Sequence, residues 1–570
     1  MVKRKEIRQR NITQLGLVLI IIILLNILST FIFGRIDLTA EKRYTLTETT
    51  VNFLEQMDDV VYFQIYLEGE ALDPGFRRLQ NATREMLDEM RNYTGDNIQY
   101  EFIDPFESPD FKTRGEIGRQ LLKKGLRPTT IEQMDDNGGT SEQLLFVGAI
   151  VSYRGEEVPL ELLKNNLTLS GEENLNNSIQ SLEFELIQTI SKLSNFEKKR
   201  IAFIEGHGEL SDLDVADFTI SLKEFYEVES IRINGDLSSL RGVDCIIVAK
   251  PDSAVSEKDK FVLDQYIMNG GKALWLIDAV DVDMDSLSYT GAVLGMINQT
   301  NLEDQLFRYG VRVNADLIQD MNCGALAVNT SAVGSQPKFR LFPWVYFPLL
   351  LSNSNHIITK NLDLITTQFV STLDTVGNNS EVRKHFLLSS SNRCRTINAP
   401  ARISLEIIKD PLKEAYFPKA FIPTAVLMEG SFESVFQNRL PSSIANSDEI
   451  KFKAKSIATK MIVVADGDLI RNQIRQTENG PAPFPLGYDR HTDVTFSGNK
   501  DFALNAINYL VDDKGIMGVR SRELKLRLLD KGKIKNEKLK WQLINTLVPV
   551  LFIIFFGLFV NWYRRKKYAA

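Results

Sequence analysis

Cysteine and histidine are scarce in this sequence of 570 residues. The three cysteines, Cys245, Cys323 and Cys394, are far apart and lack CxxC spacing. A disulfide framework and a structural zinc site both need closely spaced ligand pairs, so neither is predicted. Four histidines are also too few for histidine-rich metal chemistry. We therefore predict neither a metal nor a cofactor.

The motifs of common enzyme classes are missing as well. Gly271-Lys272 resembles the end of a phosphate-binding loop, but Tyr266 stands where the loop needs its first glycine. Three alternating aspartates between 281 and 285 mimic a calcium loop, yet Ser286 replaces its glycine. Neither HExxH nor a Gly-x-Ser-x-Gly elbow occurs. The chain is thus predicted not to be an enzyme.

An excess of positive charge is also lacking. Lys and Arg number 67 against 74 Asp and Glu, a net charge of −7, which argues against a nucleic-acid partner. Hydrophobic residues make up 44% and charged residues 25%, close to the averages of globular proteins. Most of the chain should be folded, in about three to four domains at ~150 residues each.

Two long apolar runs lie near the ends, at 15–33 and 543–562. A helix rises ~1.5 Å per residue, so each reaches about one bilayer core. A cleavable signal peptide is the alternative interpretation of the first run. Its apolar stretch is longer than the usual apolar core of a signal peptide, however, and no small-x-small cleavage site follows it. We expect two membrane spans and an uncleaved anchor.

Two spans place both termini on one side of the membrane. Five basic residues precede the first span and three follow it closely, which favours a cytoplasmic N-terminus. The flanks of the second span favour the opposite orientation. Because the first helix usually sets topology, the large middle segment should be extracytoplasmic. The predicted parts are a tail (1–14), a span (15–33), an N-terminal domain (34–197), a second domain (198–515), a stalk (516–542), a span (543–562) and a tail (563–570).

The middle segment has the pattern of an α/β fold. Strand-like runs such as VVYFQIYL (60–67), RIAFI (200–204) and MIVVA (461–465) alternate with amphipathic stretches such as 174–193 and 256–268. Alternation at this spacing predicts parallel strands joined by right-handed crossovers. The predicted fold class is therefore α/β, with two extracytoplasmic α/β domains between two single transmembrane helices.

Charged residues follow two of these strands. Glu205, His207 and Glu209 come after RIAFI, and Asp466 and Asp468 come after MIVVA. Open parallel sheets bind ligands at this edge, so the five residues are ligand candidates. The alternative interpretation is that glycines make tight turns here and that the charged side chains cap them.

A basic stalk precedes the second span. Residues 520–541 contain nine Lys or Arg and three Asp or Glu. Helical spacing of Leu524, Leu528 and Leu529 predicts an amphipathic helix that contacts a partner or anionic lipid headgroups. The contact residues predicted for it are Lys531, Lys533, Lys535 and Lys538. A solvated linker is the alternative.

Several segments, in order between the two spans, resemble the gliding-motility ABC transporter accessory family GldG of Bacteroidetes over nearly the whole chain. They are RIAFIEGHGEL (200–210), FPWVYFPLL (342–350), VVADGDLIRNQ (463–473), PLGYDR (485–490), GNKDFALNAINYL (498–510) and SRELKLRLLDKGKIKNEKLKWQLIN (521–545), with Asp37-Leu-Thr and Lys42-Arg-Tyr-Thr-Leu after the first span. The resemblance implies a substrate-binding or auxiliary component beside a permease, GldF, and an ATPase, GldA, in the bacterial inner membrane.

Residues 200–280 also resemble the domain of intraflagellar-transport proteins, which is related to class I glutamine amidotransferase-like folds. Those enzymes carry a cysteine at a strand-to-helix elbow, whereas here Cys245 lies within an apolar strand. The resemblance therefore implies the fold without the catalysis.

Two functions follow as hypotheses. The first is a non-catalytic, membrane-anchored periplasmic subunit of an ABC-type complex that supports gliding motility and associated secretion. The second is a periplasmic enzyme or ligand-binding protein that acts on a glycan or peptide through the strand-end residues.

The topology can be tested by labelling. An impermeant thiol reagent should label a cysteine engineered near Asn378 in intact spheroplasts, because that segment is predicted to be extracytoplasmic, and should not label one near Lys3. The reverse pattern would contradict the predicted orientation.

Overall fold

The computed structural model describes residues 12–24, 45–69, 72–134, 140–164, 166–167, 169–194, 198–331, 336, 338–377, 380–409, 412–441, 447, 450–478, 480–521 and 531–568. Residues 25–33 of the first apolar run, the labelling positions Lys3 and Asn378, and the stalk leucines at 524, 528 and 529 lie outside these ranges. The chain divides into two compact units, Met1–Leu38 with Tyr44–Arg522 and Thr39–Arg43 with Glu523–Ala570.

The protein is a mixed α/β protein with several sheets. In chain order its helices are α1 Ile12–Leu24, α2 Glu48–Leu54, α3 Pro74–Thr94, α4 Phe111–Lys123, α5 Gly171–Ser194, α6 Ala216–Lys223, α7 Glu257–Met268, α8 Met284–Thr290, α9 Glu303–Tyr309, α10 Gly498–Val511 and α11 Lys531–Tyr568.

The N-terminal part of the first unit holds a four-stranded sheet and a hairpin. The strands are β1 Val61–Ile65, β2 Ile98–Phe102, β3 Pro128–Met134, β4 Thr140–Phe146, β5 Gly148–Tyr153 and β6 Glu156–Glu161. The sheet order is β2-β1-β5-β6, with β1 parallel to β2 and antiparallel to β5, and β3 pairs with β4. The apolar run 144–153 belongs to two strands, because β4 and β5 pair with different partners.

The rest of the first unit contributes many more strands. They are β7 Arg200–Glu205, β8 Glu227–Arg232, β9 Cys245–Ala249, β10 Lys272–Leu276, β11 Val280–Asp281, β12 Ala292–Ile297, β13 Val311–Val313, β14 Asp316–Asp320, β15 Cys323–Asn329, β16 Phe339–Ser352, β17 Ile365–Thr366, β18 Leu373–Thr375, β19 Val382–Ser389, β20 Cys394–Asn398, β21 Ala401–Ser404, β22 Pro423–Gly430, β23 Thr459–Val464, β24 Ile474–Thr477, β25 Gly480–Pro483, β26 Tyr488–Asp489 and β27 Val494–Thr495.

The central sheet has the order β15-β16-β19-β22-β23-β10-β9-β7-β8, with β17 paired to β16. The five strands from β23 to β8 are parallel, which confirms the parallel pairing predicted for this region. From β22 outward the pairing is antiparallel. The parallel half places the ends of β7, β9, β10 and β23 along one edge.

Alternate residues of the parallel strands pack on opposite faces of this sheet. Cys245, Ile247 and Leu274 belong to a core that includes α6 and α10, whereas Ile246 and Trp275 belong to a core that includes α7 and α9. Strands buried on both faces need near-continuous apolar sequence, which CIIVA and MIVVA supply. Each fully buried Val, Leu or Ile stabilises the fold by about 1.5–3 kcal/mol.

The apolar stretch 341–351 forms most of β16, and Trp344, Val345 and Tyr346 are buried together with Leu317 and Ile403. Residues 471–495 contain two short hairpins, β24-β25 and β26-β27. Between β7 and β8 the helix is short and spans only α6.

The second unit is dominated by α11, a helix of 38 residues. Its segment Glu537–Lys566 has a mean hydropathy of 2.6 and is long and apolar enough to cross a membrane. The predicted span 543–562 lies within this segment, and the stalk positions from Lys531 onward are helical. With the short apolar helix α1 in the first unit, α11 indicates membrane association.

Candidate functional site

Polar side chains cluster where the parallel strands end. Residues directly after β7, β9, β10 and β23 include His207, Lys250, Asp278 and Asp466. All four are within two residues of a strand whose interior positions are apolar and buried. The chain therefore presents its charged groups along the carboxyl edge of the sheet, where open α/β sheets bind ligands.

His207 lies in the turn after β7. Its carbonyl accepts hydrogen bonds from the backbone N–H groups of Asp252 (3.1 Å) and Ser253 (3.0 Å), which follow β9. Leu210 N donates to the carbonyl of Ala249 at 3.0 Å. Gly208 has φ +78°, and a Cβ there would lie 1.5 Å from Asp252 Oδ1, so only glycine fits. These backbone hydrogen bonds connect the turn to the end of β9.

The imidazole of His207 lies between two carboxylates. Its Nδ1 is 3.0 Å from Glu209 Oε1 and its Nε2 is 3.2 Å from Asp259 Oδ2. The bond to Glu209 and then the bond to Asp259 outweigh burial, so the pKa of His207 is raised above its ordinary value. Both ring nitrogens are engaged, which leaves the imidazole without a free atom for acid–base chemistry.

Glu205 points elsewhere. Its Oε2 is 3.5 Å from Nε of Arg232, at the end of β8, and that arginine is largely exposed. Of the three candidates after β7, the structure brings only His207 and Glu209 together.

A second charged group joins three strand ends. Lys250 Nζ lies 2.5 Å from Asp468 Oδ2 and 3.1 Å from Asp278 Oδ2. Burial disfavours the charged form of Lys250, but the two carboxylates outweigh it and raise its pKa. Arg471 Nη1 lies 3.2 Å from Asp468 Oδ1 and extends the network toward Asp214. Lys250 thus connects the ends of β9, β10 and β23.

Asp466 is fully buried within the same network. Its Oδ1 accepts from Asp468 N at 2.7 Å and its Oδ2 accepts from Gln368 N at 3.2 Å. Burial, with Asp278 and Asp468 close by, raises the pKa of Asp466 well above its ordinary value. Gly467 N donates to Asp278 Oδ1 at 2.5 Å, and a Cβ on Gly467 would lie 2.6 Å from Lys250 Cγ.

Four of the five predicted site residues therefore belong to two hydrogen-bonded groups, one around His207 and one around Lys250, and Glu205 belongs to neither. Sequence reasoning missed Asp259, Lys250 and Asp278. The strand-end rule that selected His207 and Asp466 would also have selected Lys250 after CIIVA and Asp278 after ALWLI. Asp259 lies on α7 and has no such signal, because only folding places α7 beside the turn.

Other residues considered from the sequence have structural roles. Burial raises the pKa of the Cys323 thiol to about 12 and raises those of Cys245 and Cys394, so none is an activated nucleophile. Asp283, from the calcium-like run, caps α8 by accepting from Asp285 N and Ser286 N. Within the described residues no three His, Cys, Asp or Glu side chains are arranged to hold a metal ion.

The predicted contact lysines lie on the second unit. Lys531, Lys533, Lys535 and Lys538 all fall in the first part of α11, and the side chain of Lys538 is exposed. Spacings of four and three residues place positions 531, 535 and 538 on one side of the helix.

Comparison with known proteins gives two family matches. A model described as an ABC-type uncharacterized transport system matches residues 198–506, and a domain of unknown function, DUF7088, matches residues 40–152. An uncharacterized protein of Borreliella burgdorferi is 20% identical over 99% of both chains.

Solved structures with some likeness include the mmIFT52 N-terminal domain, at 15% identity and a TM-score of 0.31, covering 55% of this chain and 98% of that one. Another is the exo-beta-1,4-mannosidase Op5Man5 from Opitutaceae bacterium strain TAV5, at 9% identity and a TM-score of 0.17. The match covers 69% of this chain and 45% of the mannosidase chain. Both scores are too low to support an argument about function.

The His207 group predicts a pH dependence. A raised pKa in the folded state means that the stabilisation by His207 is complete below the unfolded-state pKa and is lost as pH rises through the folded-state pKa. The stability difference between wild type and His207→Gln should therefore be larger at about pH 5.5 than at about pH 8.5, measured from urea unfolding midpoints of the full chain in mild detergent.

His491 is the matched control, because burial lowers its pKa. The stability of wild type relative to His491→Gln should therefore increase as pH rises from about 5.5 to about 8.5, the opposite of the trend expected for His207. Equal pH trends for the two variants would contradict the assigned role of the two carboxylates around His207.

The Lys250 network predicts a large loss of stability. Lys250→Met leaves Asp278 buried without its cation and leaves Asp468 with Arg471 alone, which should cost about 3–5 kcal/mol in the free energy of unfolding. Adding Asp468→Asn should recover part of this loss. Lys338→Met, at an exposed position, should change the free energy of unfolding by less than about 0.5 kcal/mol. A Lys250→Met variant as stable as wild type would show that the network does not hold the strand ends.

Proposed function

The chain belongs to the family described as an ABC-type uncharacterized transport system, as an auxiliary component, and from this premise we propose that it is a membrane-anchored, non-catalytic subunit that contacts the permease of its transporter. Residues 45–521 of the first unit are its extracytoplasmic body, and α11 with the basic residues before its apolar part is the segment that reaches the permease.

The observation that carries this proposal is the exposed apolar helix of the second unit. Phe552, Ile553 and Phe555 are between 66% and 71% exposed although they point in different directions around α11. A helix that is apolar on all sides is stable only when lipid or other helices surround it. In an auxiliary component of a transporter, the permease is the membrane partner that such a helix would meet.

The non-catalytic part of the proposal is supported by the strand-end residues. His207, Asp466 and Lys250 are each held by two or more hydrogen bonds or ion pairs to the protein itself. Groups engaged in this way stabilise turns and strand ends and offer no nucleophile–base pair of the kind that hydrolases use.

A finer proposal follows from the resemblance to GldG. The chain would then act in the bacterial inner membrane, with its body in the periplasm, beside a GldF-like permease and a GldA-like ATPase. Its activity would support gliding motility and the secretion associated with it. The segments 200–210, 463–473 and 498–510, which carry the resemblance, all fall within or next to the central sheet.

Charge reversal tests contact with the permease. Replacing Lys531, Lys533, Lys535 and Lys538 by Glu should release the permease when the full chain is purified from its native membrane in mild detergent at moderate salt. The reason is that four repulsive charges would replace four attractive ones beside the start of the span. The measurement is mass spectrometry of the co-purified membrane proteins, in which the permease is recognised as a polytopic protein bound to an ATPase.

Four exposed lysines on the first unit provide the control: Lys258, Lys338, Lys413 and Lys451. Their reversal to Glu should leave the permease bound. If the permease remains with both variants, contact through the basic start of α11 is wrong, and the segment acts as a linker or a lipid contact.

A further inference from the structure

A large cavity of the first unit lies away from the strand ends, between α5 and α10. Its volume is about 430 Å³, within the range of small-molecule sites. A neighbouring cavity of about 300 Å³ shares Phe184, Lys192 and Phe225 with it. Together they form a continuous groove.

One wall of the groove is a polar stripe on α5. Asn177, Ser181, Phe184, Gln188 and Lys192 follow one another at intervals of three or four residues, so they share one face of the helix. Amide and hydroxyl groups both donate and accept hydrogen bonds. A polar face turned toward a cavity, rather than an apolar one, is suited to a polar ligand.

Arg520 supplies a charged group beside the α5 wall. Its Nη2 donates to the carbonyl of Lys360 at 2.8 Å, and its guanidinium lies 5.7 Å from the ring centre of Phe184. Its Nη1 is buried and makes no hydrogen bond to any described residue. A buried donor without a partner costs about 1–3 kcal/mol, and more when it is charged.

Lys192 is a second cation without a close counter-charge. Its Nζ lies 3.4 Å from the ring centre of Phe225, and no carboxylate of the described chain lies within 4.0 Å of it. Burial lowers the pKa of Lys192 to about 8, although Glu224 and Glu185 act in the opposite direction. An anion placed beside it would restore the stability of the charged form.

The carboxylates of the groove do not neutralise these two cations directly. Glu185 forms an ion pair with Lys164, with Nζ and Oε1 2.8 Å apart. Asp363 accepts a hydrogen bond from Leu364 N at 2.8 Å. Glu161, Glu224 and Asp501 also line the groove, and none of them lies within 4.0 Å of a nitrogen of Arg520 or Lys192 in the described chain.

From this juxtaposition we propose that the groove between α5 and α10 binds a small organic oxyanion, a carboxylate or a phosphate. Arg520 binds the oxyanion, since the guanidinium fork matches both groups, and Lys192 adds a second positive charge to the lining of the same groove. The amides of α5 bind the polar remainder, and Phe184 and Phe225 pack against its carbon skeleton. This site is independent of the contact with the permease, and neither proposal requires the other.

The test uses the full chain in mild detergent with three probes at constant ionic strength: acetate, its neutral isostere acetamide, and inorganic phosphate. The thermal unfolding midpoint should rise saturably with acetate or phosphate and not with acetamide. The more effective of the two anions identifies the oxyanion.

Two variants localise the effect. Arg520→Gln should weaken the response by at least about tenfold in apparent affinity, the size expected for loss of a charged hydrogen bond. Lys192→Gln, which removes the second positive charge of the lining, should weaken the response by less. Lys338→Gln, which removes one exposed charge elsewhere, should respond as wild type does. If Arg520→Gln does not fold, the weakened response of Lys192→Gln carries the test. No saturable response in wild type, or an unchanged response in the variants, would overturn the proposal.

Discussion

Four strands of the central sheet, β7, β9, β10 and β23, are buried on both faces, and that constraint governs where their charged groups lie. Residues Met461–Val464 of β23 and Ala273–Leu276 of β10 are inaccessible to solvent, because helices pack on either side of the sheet. A charge inside such a strand would cost several kcal/mol, so the charged side chains of these four strands lie at or just beyond their ends. The Lys250 network and the His207 turn are consequences of this arrangement. Both groups satisfy their charges internally, and they hold neighbouring strand ends in register.

The same constraint separates the parts of the molecule that stabilise it from the parts available for binding. A sheet edge filled by paired charges has little capacity left for a ligand, whereas Arg520 and Lys192 in the groove between α5 and α10 form no ion pair within the described part of the chain. The proposed binding site therefore lies between two helices instead of at the usual edge of the sheet. The longer apolar helix lies on the second unit, and the apolar part of its segment Glu537–Lys566 is not buried by the described residues. The strand-end networks that stabilise the fold, the groove proposed for binding and the apolar helix are thus different elements of the chain.

Much of this could be predicted from sequence where the signal is local. The apolar runs CIIVA and MIVVA, the alternation of strands and helices, and the C-terminal apolar helix were all confirmed. Polar strands with weak patterns, such as β3 and β8, were missed because cross-strand partners, not their own residues, hold them in place. Asp259 and Arg520 were not recognised as part of any site for the same reason, since each acquires its neighbours only when distant segments pack together.

The central claim, that α11 contacts the permease of an ABC-type transporter, is tested most directly by a photo-crosslinking amino acid at Phe552, a highly exposed side chain in the middle of the apolar segment. In native membranes, the account predicts a crosslinked product between this chain and a polytopic permease that is itself bound to an ATPase. A permease crosslink that appears equally well from an exposed position on the first unit, such as Lys338, would indicate random collision. Crosslinks to lipid alone from position 552 and its helical neighbours would contradict the claim.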